Sequence, residues 1–397
     1  MSNESKIELR NSIAKRLSGH LEVETLDERP YIETLGDRLA SSGVSRRSFM
    51  KYCMGLSAMM AIPISLMPKL VEAALAKKTS VVYLSFQECT GCLESLVNVF
   101  SNTRYNLLKT NLTADISTDS IANILLTALS LDYQETLMAP SGIQAEKSKV
   151  AAIANPDGYI LVVDGAMPDD KNGAGYFIQH GMTGLDLLKE AATNATAIVS
   201  VGSCASFGGL PSAKGPANLI NPTNERGVSP TGATSIKTAL NGFGIIDGID
   251  YSKKPVINVS GCPPIAEVIA GTLVYWILNG KAPSLDSDLR PKMFYGETVH
   301  EECYRKEFFE DGLFVNSFDD AGARAGHCLL MMGCKGPTTH NACTTLKWNQ
   351  GTGYPMEAGH GCLGCSEPDF WDKKSINAQG QQGVGFYNHL DPATIDD

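Results

Sequence analysis

The sequence predicts an α/β fold: a parallel sheet domain followed by a smaller, irregular domain. Three observations lead there. Four short apolar runs are spaced along the first part of the chain, and stretches of helical periodicity separate them. After about Lys281 such runs disappear, and glycine, histidine and cysteine become dense. With 397 residues, 43% of them hydrophobic and 19% charged, the chain has ample material for a core.

The N-terminus reads as an address, not as part of the fold. Residues 1–45 are polar and mixed in charge. They are followed by Ser45-Arg46-Arg47-Ser48-Phe49-Met50-Lys51, an apolar run from Tyr52 to about Leu70, and Ala74-Leu75-Ala76 before Lys77. A charged, then apolar, then small-residue order is that of an export signal. The paired arginines followed by Phe and Lys resemble the twin-arginine type. A membrane anchor is the competing reading, but the run is near the lower limit for spanning and contains Pro63 and Pro68. Residues 46–76 are therefore expected to be cleaved, taking Cys53 with them. The tail from Gly383 is polar. The mature protein is expected to be periplasmic, with any membrane association made through another subunit.

The sheet domain is expected over 77–280. Its buried strands are read at 81–86, 158–165, 197–202 and 255–261. Helical periodicity marks Ile121–Leu131 and Gly184–Ala192. Alternating strands and helices give an open parallel sheet covered on both faces. Such sheets bind ligands beyond the carboxyl ends of their strands. Three of the four runs lead into cysteine there: the first into Cys89 and Cys92, the third into Cys204, the fourth into Cys262.

Eleven cysteines is a high count for this length. A chain this well supplied with apolar residues has little need of disulfide staples. The formal net charge of −10 argues against a nucleic-acid partner and has the sign that attracts a basic protein. The cysteines outside the signal fall into three groups. Cys89, Cys92, Cys204 and Cys262 gather at the sheet edge. His300, Cys303, Cys328 and Cys334 open the second region, 281–397. Cys343, Cys362 and Cys365 follow. Soft thiolates in threes and fours suit iron–sulfur clusters, and three without a fourth point to a [3Fe-4S] cluster. Glycines such as Gly91, Gly202, Gly209, Gly261, Gly336, Gly361 and Gly364 lie beside them and let loops wrap closely. Zinc in the four-ligand sets and disulfides remain the alternatives. His327 also lies beside a cysteine, so spacing alone does not single out His300.

Together these motifs are similar to those of the small-subunit family of periplasmic uptake [NiFe] hydrogenases. The resemblance rests on the twin-arginine segment, Glu88–Cys92, Gly202–Gly209, Gly261–Pro264, His300–Cys303, Gly333–Pro337 and Gly361–Pro368. It implies a flavodoxin-like first domain and a proximal [4Fe-4S] cluster on the first set. It also implies a distal [4Fe-4S] cluster on the second set, with His300 as its histidine ligand, and a medial [3Fe-4S] cluster on the third. The Ni–Fe site is implied to lie in a separate large subunit. Electrons from H2 oxidation are implied to leave through the three clusters to a multihaem c-type cytochrome or a membrane cytochrome subunit. The resemblance assigns no catalytic residue to this chain, though Glu88 and Thr90 are candidates for a proton path. Gly91 and Gly209 stand where oxygen-tolerant relatives carry extra cysteines. A stand-alone periplasmic multi-cluster electron carrier is the alternative. A respiratory complex I subunit resembling the first domain is disfavoured by the second and third sets.

Overall fold

The computed structural model describes residues 79–98, 129–168, 174–213, 231–349, 351–368, 370–371, 375–376 and 382–383. The signal segment, and Ile121–Ala128 of the expected helix, lie outside the described residues.

Five parallel strands form the central sheet: β1 Thr79–Ser85, β2 Leu129–Tyr133, β3 Tyr159–Asp164, β4 Ala195–Val201 and β5 Val256–Val259. Their spatial order is β2-β1-β3-β4-β5, the flavodoxin-like order of a doubly wound sheet. Four of the five are the apolar runs read from the sequence, with ends that differ by a residue or two. The fifth, β2, is not among those runs, and its Leu129–Leu131 corrects the end of the expected helix. The Leu-Ser-Leu-Asp-Tyr alternation belongs to an edge strand paired only with β1.

Strand side chains alternate between faces, and the two sides of the sheet bury different partners. Val81, Tyr83, Ile160, Val162, Val199 and Val201 share one core with α1 (Gly91–Asn98) and α6 (Ala266–Asn279). Val82, Leu84, Leu161, Val163 and Ile198 share the other with α2 (Gly142–Ile153), α3 (Gly184–Thr193) and α5 (Ile236–Phe243). α3 and α5 start at side-chain caps, Thr183 accepting from Asp186 N at 3.2 Å and Ser235 from Thr238 N at 3.1 Å. A short helix, α4 (Gly202–Phe207), follows β4 directly.

Beyond Lys281 the described chain is mostly turns. The sequence predicts organisation there by ligands more than by a core, yet the apolar residues of this region do enter one. Phe294, Tyr295, Val299, Val315, Leu329, Tyr354 and Met356 belong to the same buried cluster as α1, α6 and one face of the sheet. The second region is thus packed onto the first. Among the described residues no helix is long and apolar enough to cross a membrane.

At the carboxyl end of β3, Asp164 is fully buried and accepts from Tyr83 Oη at 3.0 Å. Burial raises its carboxyl to about 7. A raised folded value means that the unfolded chain releases this proton first. Stability therefore falls as pH rises from about 4 to about 7, by up to about 1.4 kcal/mol per unit. Urea midpoints of the purified protein across that range should show the decline. Asp164→Asn should flatten it, and an equal slope in the variant would refute the assignment.

Candidate metal centres

The ten cysteines from Cys89 to Cys365 are all free thiols, so no disulfide joins them. Each set is built by a different means.

The first is built by strand ends. β1 runs into the loop carrying Cys89, and α1 begins at Gly91 with Cys92 in its first turn. Gln87 exchanges backbone hydrogen bonds with Ala166, at 3.2 and 2.9 Å, which ties this loop to the one after β3. Cys204 lies in the first turn of α4, and Cys262 follows β5. The four thiols meet. Burial first, then Asp164 and the other three cysteines, push the Cys92 thiol well up. Cys204 is pushed up to about 12 by burial and then by Cys262. Burial and then Cys89 raise Cys262. Two glycines leave room for sulfur. At Gly202 (φ +88°) a Cβ would lie 2.3 Å from Cys92 Sγ, and at Gly209 (φ +56°) 2.5 Å from Cys204 Sγ. No side chain fits either place.

This set is open on one side, with Cys89 and Cys262 exposed. Glu88 and Thr90 flank Cys89. Thr90 Oγ1 donates to Glu88 Oε1 at 3.5 Å. Thr90 has φ 69°, a strained conformation for a β-branched residue. Burial raises the Glu88 carboxyl, and its Oε2 is buried without a hydrogen-bond partner.

The second set surrounds a cavity. A small space is lined by His300, Cys303, Cys328 and Cys334, with Arg305 and Gly336 beside them. His327 does not line it; its ring lies against Phe308, 5.3 Å between centroids. The His300 ring is set edge-on against Phe309 at 4.7 Å. Burial, relieved by a backbone bond from Leu330, holds the Cys328 thiol at about 11, with Cys334 and Cys303 adding to the rise.

The third set is the deepest. Cys343 and Cys362 are buried. Burial and then Cys362 push Cys343 up to about 12; burial and then Cys343 do the same to Cys365. This set lies between the other two, since Cys362 also interacts with Cys334 and Cys365 with Cys262.

Ten such thiols bind as thiolates only if something compensates their charge. Among the described residues no three His, Cys, Asp or Glu side chains close on a point where a single ion would sit. Zinc holds each thiolate sulfur at about 2.3 Å from one centre. Donors arranged around a space fit a multi-iron cluster better. Soft sulfur donors, glycine cradles and one histidine complete that fit.

Three buried cations near these sets have no counterpart in the sequence reading: Arg290, Arg305 and Lys335. A lone basic residue in a sequence carries no sign of its burial. Arg305 donates to His327 O at 2.6 Å and to Tyr304 Oη at 2.8 Å. Arg290 pairs with Asp286 at 2.8 Å and Glu367 at 2.9 Å, and donates to Ser366 O at 3.0 Å. It thereby joins the start of the second region to the chain just after Cys365.

Residues 89–276 match the family described as NADH ubiquinone oxidoreductase, 20 Kd subunit. Residues 295–377 match the family of the C-terminal part of the NiFe/NiFeSe hydrogenase small subunit. The chain is 40% identical over 351 residues to the uptake hydrogenase small subunit of Afipia carboxidovorans, covering 88% of this chain and 84% of the relative. It is 40% identical over 341 residues to the periplasmic [NiFe] hydrogenase small subunit 1 of Nitratidesulfovibrio vulgaris, covering 85% and 94%. A reduced, active Ni-Fe-Se hydrogenase from Desulfomicrobium baculatum superimposes with a TM-score of 0.61 at 29% identity, over 79% of this chain and 100% of that one. The match over the second region separates the hydrogenase reading from the respiratory one.

Arg290→Met should strand Glu367 and Asp286 as uncompensated charges and cost about 3–5 kcal/mol. Arg290→Lys, which keeps the charge but loses the planar fork, should restore only part. Denaturant midpoints of the three proteins test this; a Met variant as stable as the parent would contradict it.

Proposed function

The chain belongs to the small-subunit family of [NiFe] hydrogenases, and on that premise we propose which of its residues serve the family's electron transfer. The protein is an iron–sulfur electron-transfer subunit. It pairs with a large subunit, and that partner holds the Ni–Fe site where H2 reacts. A stand-alone electron carrier does not agree with this membership.

In the proposed assignment, Cys89, Cys92, Cys204 and Cys262 hold a proximal [4Fe-4S] cluster. Cys343, Cys362 and Cys365 hold a medial [3Fe-4S] cluster. His300, Cys303, Cys328 and Cys334 hold a distal [4Fe-4S] cluster. When bound, such clusters take up and release single electrons. The observation that carries the reading is the position of the three-thiol set between the two four-ligand sets. The chain's residues fix the positions, exclude water and balance charge. Burial of Cys343 and Cys362 keeps the middle set dry, while Arg305 brings positive charge to Cys303, Cys328 and Cys334.

The open edge with Cys89 and Cys262 is assigned to the large subunit, and Glu88 and Thr90 with it. Glu88, with one carboxylate oxygen buried and unpartnered, is suited to pass a proton across that interface. The opposite end is assigned to the acceptor. Around Cys303 and Cys328 the surface exposes Glu301, Glu302, Glu307, Glu310, Asp311 and Asp319. Tyr304, Leu313 and Phe318 lie among them, 51%, 40% and 57% exposed. An acidic rim with apolar contacts suits a cationic c-type multihaem cytochrome more than a membrane cytochrome. Residues 46–76 are assigned to twin-arginine export, giving a periplasmic protein.

Purification of the native protein should recover a nickel-containing subunit of different sequence. Oxidised samples should give a [3Fe-4S] EPR signal, and reduced ones two distinct [4Fe-4S] signals. A preparation without nickel, or without the [3Fe-4S] signal, would sink the assignment. Electron delivery to a cationic cytochrome should slow as salt shortens the screening length to about 8 Å near 0.15 M, and Glu301→Lys with Glu302→Lys should slow it at low salt. Delivery to a small neutral dye should be indifferent to both. Indifference of the cytochrome reaction would count against the acidic docking surface.

A further inference from the structure

Two backbone contacts connect the three thiol sets. The backbone of Cys262 lies beside Cys365, where Ser203 ties Gly261 N to Cys365 O. The backbone N–H of Cys362 donates to Cys334 Sγ at 3.2 Å. In each case the backbone belongs to a cysteine of one set and the sulfur to the next. The path from sulfur to sulfur is the Sγ–Cβ–Cα–N chain of a single cysteine plus one contact to the next sulfur, which at Cys334 is an N–H···S hydrogen bond. Both bridges point the same way along the proposed route, from the first set to the third and from the third to the second.

Each contact is held closed by a neighbour that binds nothing itself. At Gly361 a Cβ would lie 2.8 Å from Cys334 Cα and 2.9 Å from its Cβ, so only glycine lets the Cys362 strand lie against Cys334. Lys335 N donates to Cys362 O at 2.8 Å and fastens the same strand. At the other bridge, Ser203 Oγ donates to Cys365 O and accepts from Gly261 N at 3.0 Å. Ser260 Oγ donates to Ser366 O at 2.8 Å on the far side of Cys365.

We propose that these two contacts between a cysteine backbone and the cysteine of the next set are the electron bridges between the sets, and that Gly361 and Ser203 are the positioning residues that keep them closed. This rests on the cluster assignment above. One electron crosses each bridge. The side it leaves is oxidised and the side it reaches is reduced, with no bond made or broken and no proton moved. An N–H directed at a cluster sulfur also raises the potential of the side that accepts it, so the Cys362–Cys334 bridge favours onward travel.

The test uses the native heterodimer carrying Gly361→Ala or Ser203→Ala. Iron content and low-temperature EPR come first. A parent protein lacking the three clusters overturns the cluster assignment itself, not only the bridges. With clusters intact, flash photoreduction times electron arrival at each set, and redox titration gives each potential. Gly361→Ala should slow transfer between the third and second sets by an order of magnitude and lower the potential of the His300 set. Ser203→Ala should slow transfer between the first and third sets and leave the other step alone. Unchanged rates at matched driving force overturn the proposal even if potentials move, because that result means tuning without bridging. Should Gly361→Ala lose iron, Ser203→Ala, which removes one hydroxyl and adds no bulk, decides the matter.

Discussion

Crowding of thiols in low-dielectric surroundings is the constraint on which the rest of this structure depends. Within each set, burial and mutual repulsion both oppose the thiolate form that a metal requires. A positively charged metal core bound by these sulfurs would offset both. Around that requirement the chain places its unusual features: positive-φ glycines against sulfur at Gly202 and Gly209, and buried cations at Arg305 and Lys335.

The same constraint explains why two regions share one core. A group of turns wrapped around ligands has little apolar surface of its own to bury. Here Phe294, Val299, Val315 and Leu329 lie in the cluster that also covers one face of the sheet. The flavodoxin-like order leaves the carboxyl edge free for loops after β1, β4 and β5. Ser203 and Ser260 then fasten the chain around Cys365 onto that edge. The rigid sheet therefore fixes the middle set as well as the first.

Much of this is legible in the sequence because buried parallel strands are continuous apolar runs. β1, β3, β4 and β5 can be read that way, and their ends lead to the cysteines of the first set. β2 cannot, since Ser130 and Asp132 interrupt a five-residue edge strand whose Leu131 is largely exposed. The shared core is hidden because its residues are scattered singly among glycines and turns from Phe294 to Met356. Spacing leaves His300 and His327 equal. What separates them is where their rings point, to a cavity in one case and to Phe308 in the other. The fastening serines are invisible for a related reason: Ser203 lies 162 positions from the carbonyl it holds.

The exposure of Cys89 and Cys262 has a consequence for the life of the protein. Accessible sulfur is the kind that oxidants find first. With this edge assigned to the large subunit as proposed above, a copy that has met its partner shields these two positions; a surplus copy does not. Imbalance between the two chains is thus recorded chemically on the one in excess, at the edge that must stay intact for pairing. Matched supply of the two chains, and pairing before any exposure to an oxidising compartment, are then conditions that the geometry of this edge imposes on the cell.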